Sequence, residues 1–230
     1  YLRKNLGVSS SLNYAAKKTK TNYFLHLSPD LKVDYKDIKV FFKYAKKIND
    51  DFCALGPRFL NTKKKGHIQI DKKLKYGKID SIHGSYMFIN KKRFDEINGW
   101  DDKIFLYFEE TDYAYRGKKL GLNCYQINSI KTKTIDTTVK INNENEKRNW
   151  LNLLVWHFIW SKFYTSKKKY GFIFSFIIFL PIIIRILFRL SLYSIFYDKK
   201  KLVKYKFRLS GLYNSIIGNN SYLRLKDIKN

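Results

Sequence analysis

Apolar positions along this chain follow two alternating periods. Val33, Ile38, Phe41, Phe42, Ala45 and Ile48 fall on one face of a helix, and Asp34 stands where an N-cap is wanted. Residues 9–20 read as an earlier helix with Ser9 or Ser10 near its cap. Between the two, residues 23–27 form a short apolar run, expected to be a buried strand ending at Pro29 and Asp30. Residues 52–60 predict a strand broken at Gly56 and Pro57, Lys63 to Gly66 a turn, and Ile68 with Ile70 an alternating edge strand. A strand over 82–90 follows, then a short helix from Arg93 closed by Gly99, since glycine enters the left-handed region without a Cβ clash. A helix after the acids at 109–112 ends with Arg116, Lys118 and Lys119 over its last carbonyls and Gly121 as its cap. Residues 122–130 alternate like a sheet strand. Strands and helices in this order predict an open α/β sheet with mixed pairing, flanked by helices.

The pattern changes after a polar linker at 140–147. Residues 150–164 are apolar on most sides and carry Trp150, Trp156 and Trp160; Lys167 to Lys169 then precede an apolar run over 172–184. That run is shorter than the ~20 residues a spanning helix needs. Pro181 interrupts it, Arg185 and Arg189 follow, and Leu187, Leu190, Tyr193 and Phe196 continue an apolar face. Residues 150–197 therefore read as a basic, amphipathic region lying in a membrane interface. The alternatives are helices that cover the sheet or form a homodimer contact. The expected organisation is an α/β domain over 1–140 and a helical, membrane-associated appendage over 141–230.

Charge sharpens the partner classes. The chain has 46 Lys and Arg against 19 Asp and Glu, a formal net charge of +27, which attracts polyanions and anionic membrane surfaces. Its lysine clusters at Lys17–Lys18, Lys63–Lys65, Lys167–Lys169 and Lys199–Lys201 are dispersed and match no nucleic-acid motif. A specific nucleic-acid partner is not expected, and general polyanion binding is the rival from another class. Cys53 and Cys124 are too few for a disulfide framework and point to a reducing compartment. No Cys/His spacing suits a metal. The sequence opens on Tyr1 and holds a single methionine, Met87, so it reads as N-terminally truncated.

In a chain so rich in cations, three carboxylates stand together. Glu109, Glu110 and Asp112 follow the aromatic run of Phe105, Tyr107 and Phe108. Like charges oppose one another's ionisation, and partial burial adds to the cost. Such a cluster suggests a site that needs a base, a metal or a cationic substrate. The competing reading is a helix start, where acids complement the dipole.

The ordered set Gly84, Gly99, Trp100, Phe105, Tyr107, Glu109, Glu110, Asp112, Arg116 and Gly121 resembles the inverting family 2 glycosyltransferases of GT-A fold, in particular the rhamnosyltransferase-like subgroup of bacterial surface-polysaccharide synthesis. Asn5, Gly7 and Asn13 resemble that family's early motif, and the strand ending in Ser28, Pro29 and Asp30 its metal-bearing turn. Trp160 to Gly171 is similar to the tail of capsule and O-antigen transferases. The resemblance implies a GT-A-like sheet and transfer of a sugar from a nucleotide-diphosphate donor to a saccharide or lipid-linked acceptor, at the cytoplasmic face of a bacterial inner membrane. It implies Glu110 as the base, expected to have a near-normal pKa, and Asp30 as a ligand to Mg2+ or Mn2+. It places Glu109, Asp112, Gly84, Trp100, Arg116 and His83 around the substrates. Lys131 or Lys133 is the alternative source of positive charge for the diphosphate. With the family's first strand not in view, an inactive scaffold of the same fold is the second reading.

Overall fold

The computed structural model describes residues 5–31, 33–60, 69–133 and 141–228. The turn expected at Lys63 to Gly66 and the alternation at Ile68 lie outside these. The described residues divide into two compact units, a sheet unit (Ser10–Asp101 with Glu109–Thr138) and a helical unit (Tyr1–Ser9, Asp102–Phe108 and Val139–Asn230).

In the sheet unit, five strands lie in the order β1 (Tyr23–Leu27), β4 (Tyr86–Asn90), β2 (Phe52–Phe59), β5 (Asn123–Thr132), β3 (Tyr76–Ile79). β2 and β5 run parallel; the other neighbours are antiparallel. The sheet is therefore mixed, as its strand and helix order predicts. Alternation along β4 sends Tyr86 and Phe88 to one face and Met87 and Ile89 to the other. On the first face α2 (Tyr35–Lys47) buries Phe41 and Ala45 against Phe52, Leu55 and Phe88. Asp34 caps that helix by accepting from the Lys36 amide at 2.9 Å. On the second face lie Ala16 of α1 (Val8–Lys18), Phe94 of α3 (Lys91–Glu96) and Tyr113 and Ala114 of α4 (Glu109–Lys119).

Three local expectations need correction. β2 runs unbroken through Gly56 and Pro57. A register slip between Pro57 and Arg58 accommodates the proline, which has no amide hydrogen to give the ladder. Ile70 lies outside any strand, and the edge strand is β3, at Tyr76–Ile79. A polar network holds the preceding loop to the sheet: Asn128 donates to the Asp71 and Leu74 carbonyls at 2.8 and 2.7 Å, and Arg58 donates to the Ile70 carbonyl at 3.0 Å.

The helical unit is built from α5 (Glu144–Tyr170), α6 (Phe172–Ile195) and α7 (Lys199–Ile216). Phe163, Phe179, Ile186 and Leu212 form one core, and Leu153, Trp156, Trp160 and Leu223 a second. The segment Asp102–Phe108 joins this unit through Phe105, whose ring stacks on His157 and carries the Arg224 guanidinium 3.7 Å above it. His157 is wholly buried, bonded to Ser221 Oγ and the Leu223 carbonyl, and burial lowers its pKa to about 4. Gly7 is required here: its φ is +84°, and a Cβ would stand 2.4 Å from the Phe105 ring.

α6 corrects the third expectation. It continues through Pro181 for 24 residues, about 36 Å at 1.5 Å per residue, long and apolar enough to cross a membrane. Burial of Phe179 and Ile186 on either side of the proline holds both halves to one core. Most of its remaining apolar side chains, among them Ile173, Phe174, Ile177, Ile184 and Phe188, are exposed.

Candidate active site

Strand direction brings the sheet unit's candidate residues to one end. β1 exits there toward Asp30, β4 enters from Gly84, and β2 and β5 finish there at Phe59 and Thr132. The Ser28 amide donates to the Ser85 carbonyl at 2.8 Å, tying the Asp30 turn to the Gly84 turn. The His83 ring lies tilted against Phe59, 4.6 Å between centroids, and its Nδ1 lies 2.7 Å from Ser85 Oγ.

α4 begins at the same end, so Glu109 and Glu110 occupy its first turn. The backbone just before it is unusual: Tyr107 and Phe108 both take left-handed φ, 69° and 66°. Two consecutive non-glycine residues in that region carry strain of about 1–3 kcal/mol each, a cost seen mainly where geometry serves a site. Gly84 lies beside Glu110: a Cβ on it would be in ordinary van der Waals contact with the carboxylate oxygen, at 3.5 Å.

The two glutamates retain partial exposure while their carboxylates sit among protein atoms. Burial raises the Glu110 pKa to about 8, and the neighbouring Glu109 charge adds to the rise. Burial also raises Glu109, and the backbone amide at the helix start only partly offsets this. Glu110 thus departs from the near-normal value expected, because desolvation, with the Glu109 charge, outweighs its backbone hydrogen bond. A carboxyl titrating near neutrality is suited to accept a proton from a hydroxyl.

Asp112 and Arg116 hold the turn that carries Trp100. Asp112, nearly inaccessible, accepts from Arg116 Nε at 2.8 Å. The Arg116 guanidinium also donates to the carbonyls of Ile97 and Gly99. Asn13 clasps the Trp100 backbone, accepting from its amide and donating to its carbonyl, both at 2.8 Å. Gly99 between them has φ +61°, and a Cβ would meet Asn13 Oδ1 at 2.6 Å. These residues brace the turn that carries Trp100 onto the Tyr113 ring, 4.6 Å between centroids.

His26 was not singled out by sequence reasoning. Its place in β1, in step with partly buried Phe24, is the signal in the sequence. Burial lowers its pKa, and its ring lies 6.4 Å from Trp100. Among the described residues, His26 Nδ1, Trp100 Nε1 and Glu109 Oε2 are buried without a hydrogen-bond partner. Buried polar atoms of this kind are commonly met by water or ligand.

Asp30 supplies one hard oxygen ligand at the strand end, and no group of three His, Cys, Asp or Glu that would hold a metal gathers among the described residues. A lone carboxylate fits Mg2+ or Mn2+ only where substrate phosphates complete the coordination, which is common for these ions. Lys131 and Lys133 are exposed near the end of β5, where Lys131 pairs with Arg58 of β2.

No family model matches this chain. The low-salt glycan biosynthesis hexosyltransferase Agl10 of Haloferax volcanii is 23% identical over 158 residues, 58% of this chain and 48% of that protein. The chain thus spans about half the length of this curated relative. Among solved structures, the mannosyltransferase PcManGT from Pyrobaculum calidifontis, in complex with GDP-Man and Mn2+, superposes with a TM-score of 0.50 at 10% identity, covering 91% of this chain and 66% of that one. The sheet and its flanking helices match a glycosyltransferase fold, and the chain is distantly related to glycosyltransferases.

Proposed function

We propose that the protein transfers a hexose from a nucleotide-diphosphate sugar to a saccharide acceptor by a single inverting displacement, with Glu110 as the base. The observation that carries this reading is Glu110 at the start of α4, against the Gly84 backbone, with a pKa raised to about 8. The acceptor hydroxyl loses its proton to Glu110 as its oxygen attacks the anomeric carbon. The bond to the diphosphate breaks on the opposite side. Glu109, Trp100 and His26, with their unmet polar atoms, orient the sugar hydroxyls, and His83 and Gly84 shape the adjoining wall. Asp30 would hold a divalent cation together with the diphosphate. Bound there, the cation would neutralise charge on the leaving group. The structural neighbour was solved with GDP-Man and Mn2+, which supports a divalent cation alongside the donor. Incubating the protein with GDP-mannose or UDP-glucose, Mn2+ and a membrane extract should release nucleoside diphosphate and label glycan or glycolipid. Binding of donor without transfer to any saccharide would favour the inactive scaffold.

A membrane-borne acceptor is the second part of the proposal, and α6 is the feature that supports it. Its exposed apolar face is flanked by Lys167–Lys169 and Lys199–Lys201, and cations near an anionic surface add about 1 kcal/mol each. Arg185 is exposed among the apolar residues Ile184, Leu187 and Phe188. That is costly at a bilayer centre but accommodated at an interface, where the guanidinium reaches the headgroups. α6 therefore lies in the interface, on the cytoplasmic side where nucleotide sugars arise, and the acceptor is lipid-linked. In vesicle flotation the protein should rise with anionic lipid and be released by high salt. Retention through salt and alkaline extraction would instead mean a spanning α6.

A further inference from the structure

The register of β2 slips between Phe52 and Ala54, so the consecutive residues Cys53 and Ala54 both join the core cluster on the α4 side of the sheet. The slip carries Cys53 Sγ to 3.0 Å from Cys124 Sγ on the parallel neighbour β5. Unbonded sulfurs in ordinary contact stand farther apart than this. Adjacent strands also lie within the Cα separation of about 4.4–6.8 Å that a disulfide spans. Cys53 is tightly held. The Cys53 carbonyl accepts from Tyr113 Oη at 3.1 Å, and Gly117 of α4 is so close that a Cβ there would meet Cys53 Cβ at 3.0 Å.

The two thiols differ in access. A cavity of about 500 Å3, lined by Lys78, Ile79, Asp80, Ala114 and Lys118, reaches Cys124. Cys53 has no accessible surface.

We propose that Cys53 and Cys124 form an intrachain disulfide when the folded protein meets a small disulfide such as oxidised glutathione. Cys124 loses its proton and attacks one sulfur of the small disulfide, displacing one thiol and forming a mixed disulfide. Cys53 then loses its proton, attacks the Cys124 sulfur and displaces the second thiol. Two protein S–H bonds are lost and one S–S bond is formed, while the small disulfide is reduced to two thiols. The neighbouring Cys53 thiol, and then burial, hold the Cys124 pKa well above its ordinary value, so the first step is slow and needs sustained exposure. In a reducing compartment the pair stays a dithiol. Under oxidation it becomes a covalent tie between β2 and β5, directly beneath the helix that presents Glu110.

The test uses the whole folded chain incubated with excess oxidised glutathione, acid-quenched, then alkylated after denaturation. The expected product loses the mass of two hydrogens, takes up no alkyl group, and yields a peptide linking Cys53 to Cys124 that a reductant separates. In a Cys124→Ala variant shown by circular dichroism to be folded, Cys53 should remain a free thiol. Any of four results would overturn the proposal: alkylation of both cysteines, a stable glutathione adduct on Cys124 with Cys53 free, chains linked to one another, or reaction of Cys53 in the variant.

Discussion

Glu110→Gln is expected to abolish sugar transfer, lowering kcat by roughly a hundredfold or more, because the amide keeps the shape and cannot take the proton. Folding should survive, since burial opposes the ionised form that the substitution removes. The raised pKa fixes the sign of the pH dependence. In the free enzyme kcat/KM should fall about tenfold per pH unit below about 8 and level off above it, because only the ionised carboxylate is a base. Stability should move the other way. Between the ordinary carboxyl value of 4.5 and about 8 the folded state holds this proton more tightly than the unfolded state. The resulting contribution is fully present below 4.5 and is lost as pH rises through about 8. A Glu110→Gln enzyme with full activity, or a wild-type profile flat from pH 6 to 9, would remove Glu110 from the reaction.

Arg116→Met is expected to cost about 3–5 kcal/mol of stability, the usual penalty for taking one partner from a buried ion pair. Asp112 would lose its guanidinium partner while only 1% exposed, and the Ile97 and Gly99 carbonyls would lose donors. Urea denaturation followed by circular dichroism measures this directly. Removing the acid as well, in Asp112→Asn with Arg116→Met, should restore part of the loss. If instead Arg116→Met left stability within about 0.5 kcal/mol of wild type and raised KM for the donor, Arg116 would be a substrate ligand and the brace would be incidental.

The sequence by itself determined the features set by local chemistry. A polar N-cap and 3.6-residue spacing placed α2; a short apolar run placed β4 and an alternating one β5; the acids opening α4 and the cations closing it marked both of its ends. It also singled out Glu110, which opens α4 and which we propose as the base. What it could not determine rests on partners distant in the chain. Pro57 reads as a break until the slipped pairing with β5 shows that its missing amide hydrogen is not needed. β3 is four residues with little apolar content and gains its identity only by pairing with β5. The apolar run from Phe172 reads as short because Pro181 and two arginines punctuate it; packing of Phe179 and Ile186 into one core carries the helix through. The Glu110 pKa belongs to the same class: desolvation depends on what surrounds the carboxylate, including Gly84, 26 positions earlier in the sequence. Cys53 and Cys124 stand 71 residues apart, and only a one-residue slip in a parallel ladder turns two unremarkable thiols toward each other.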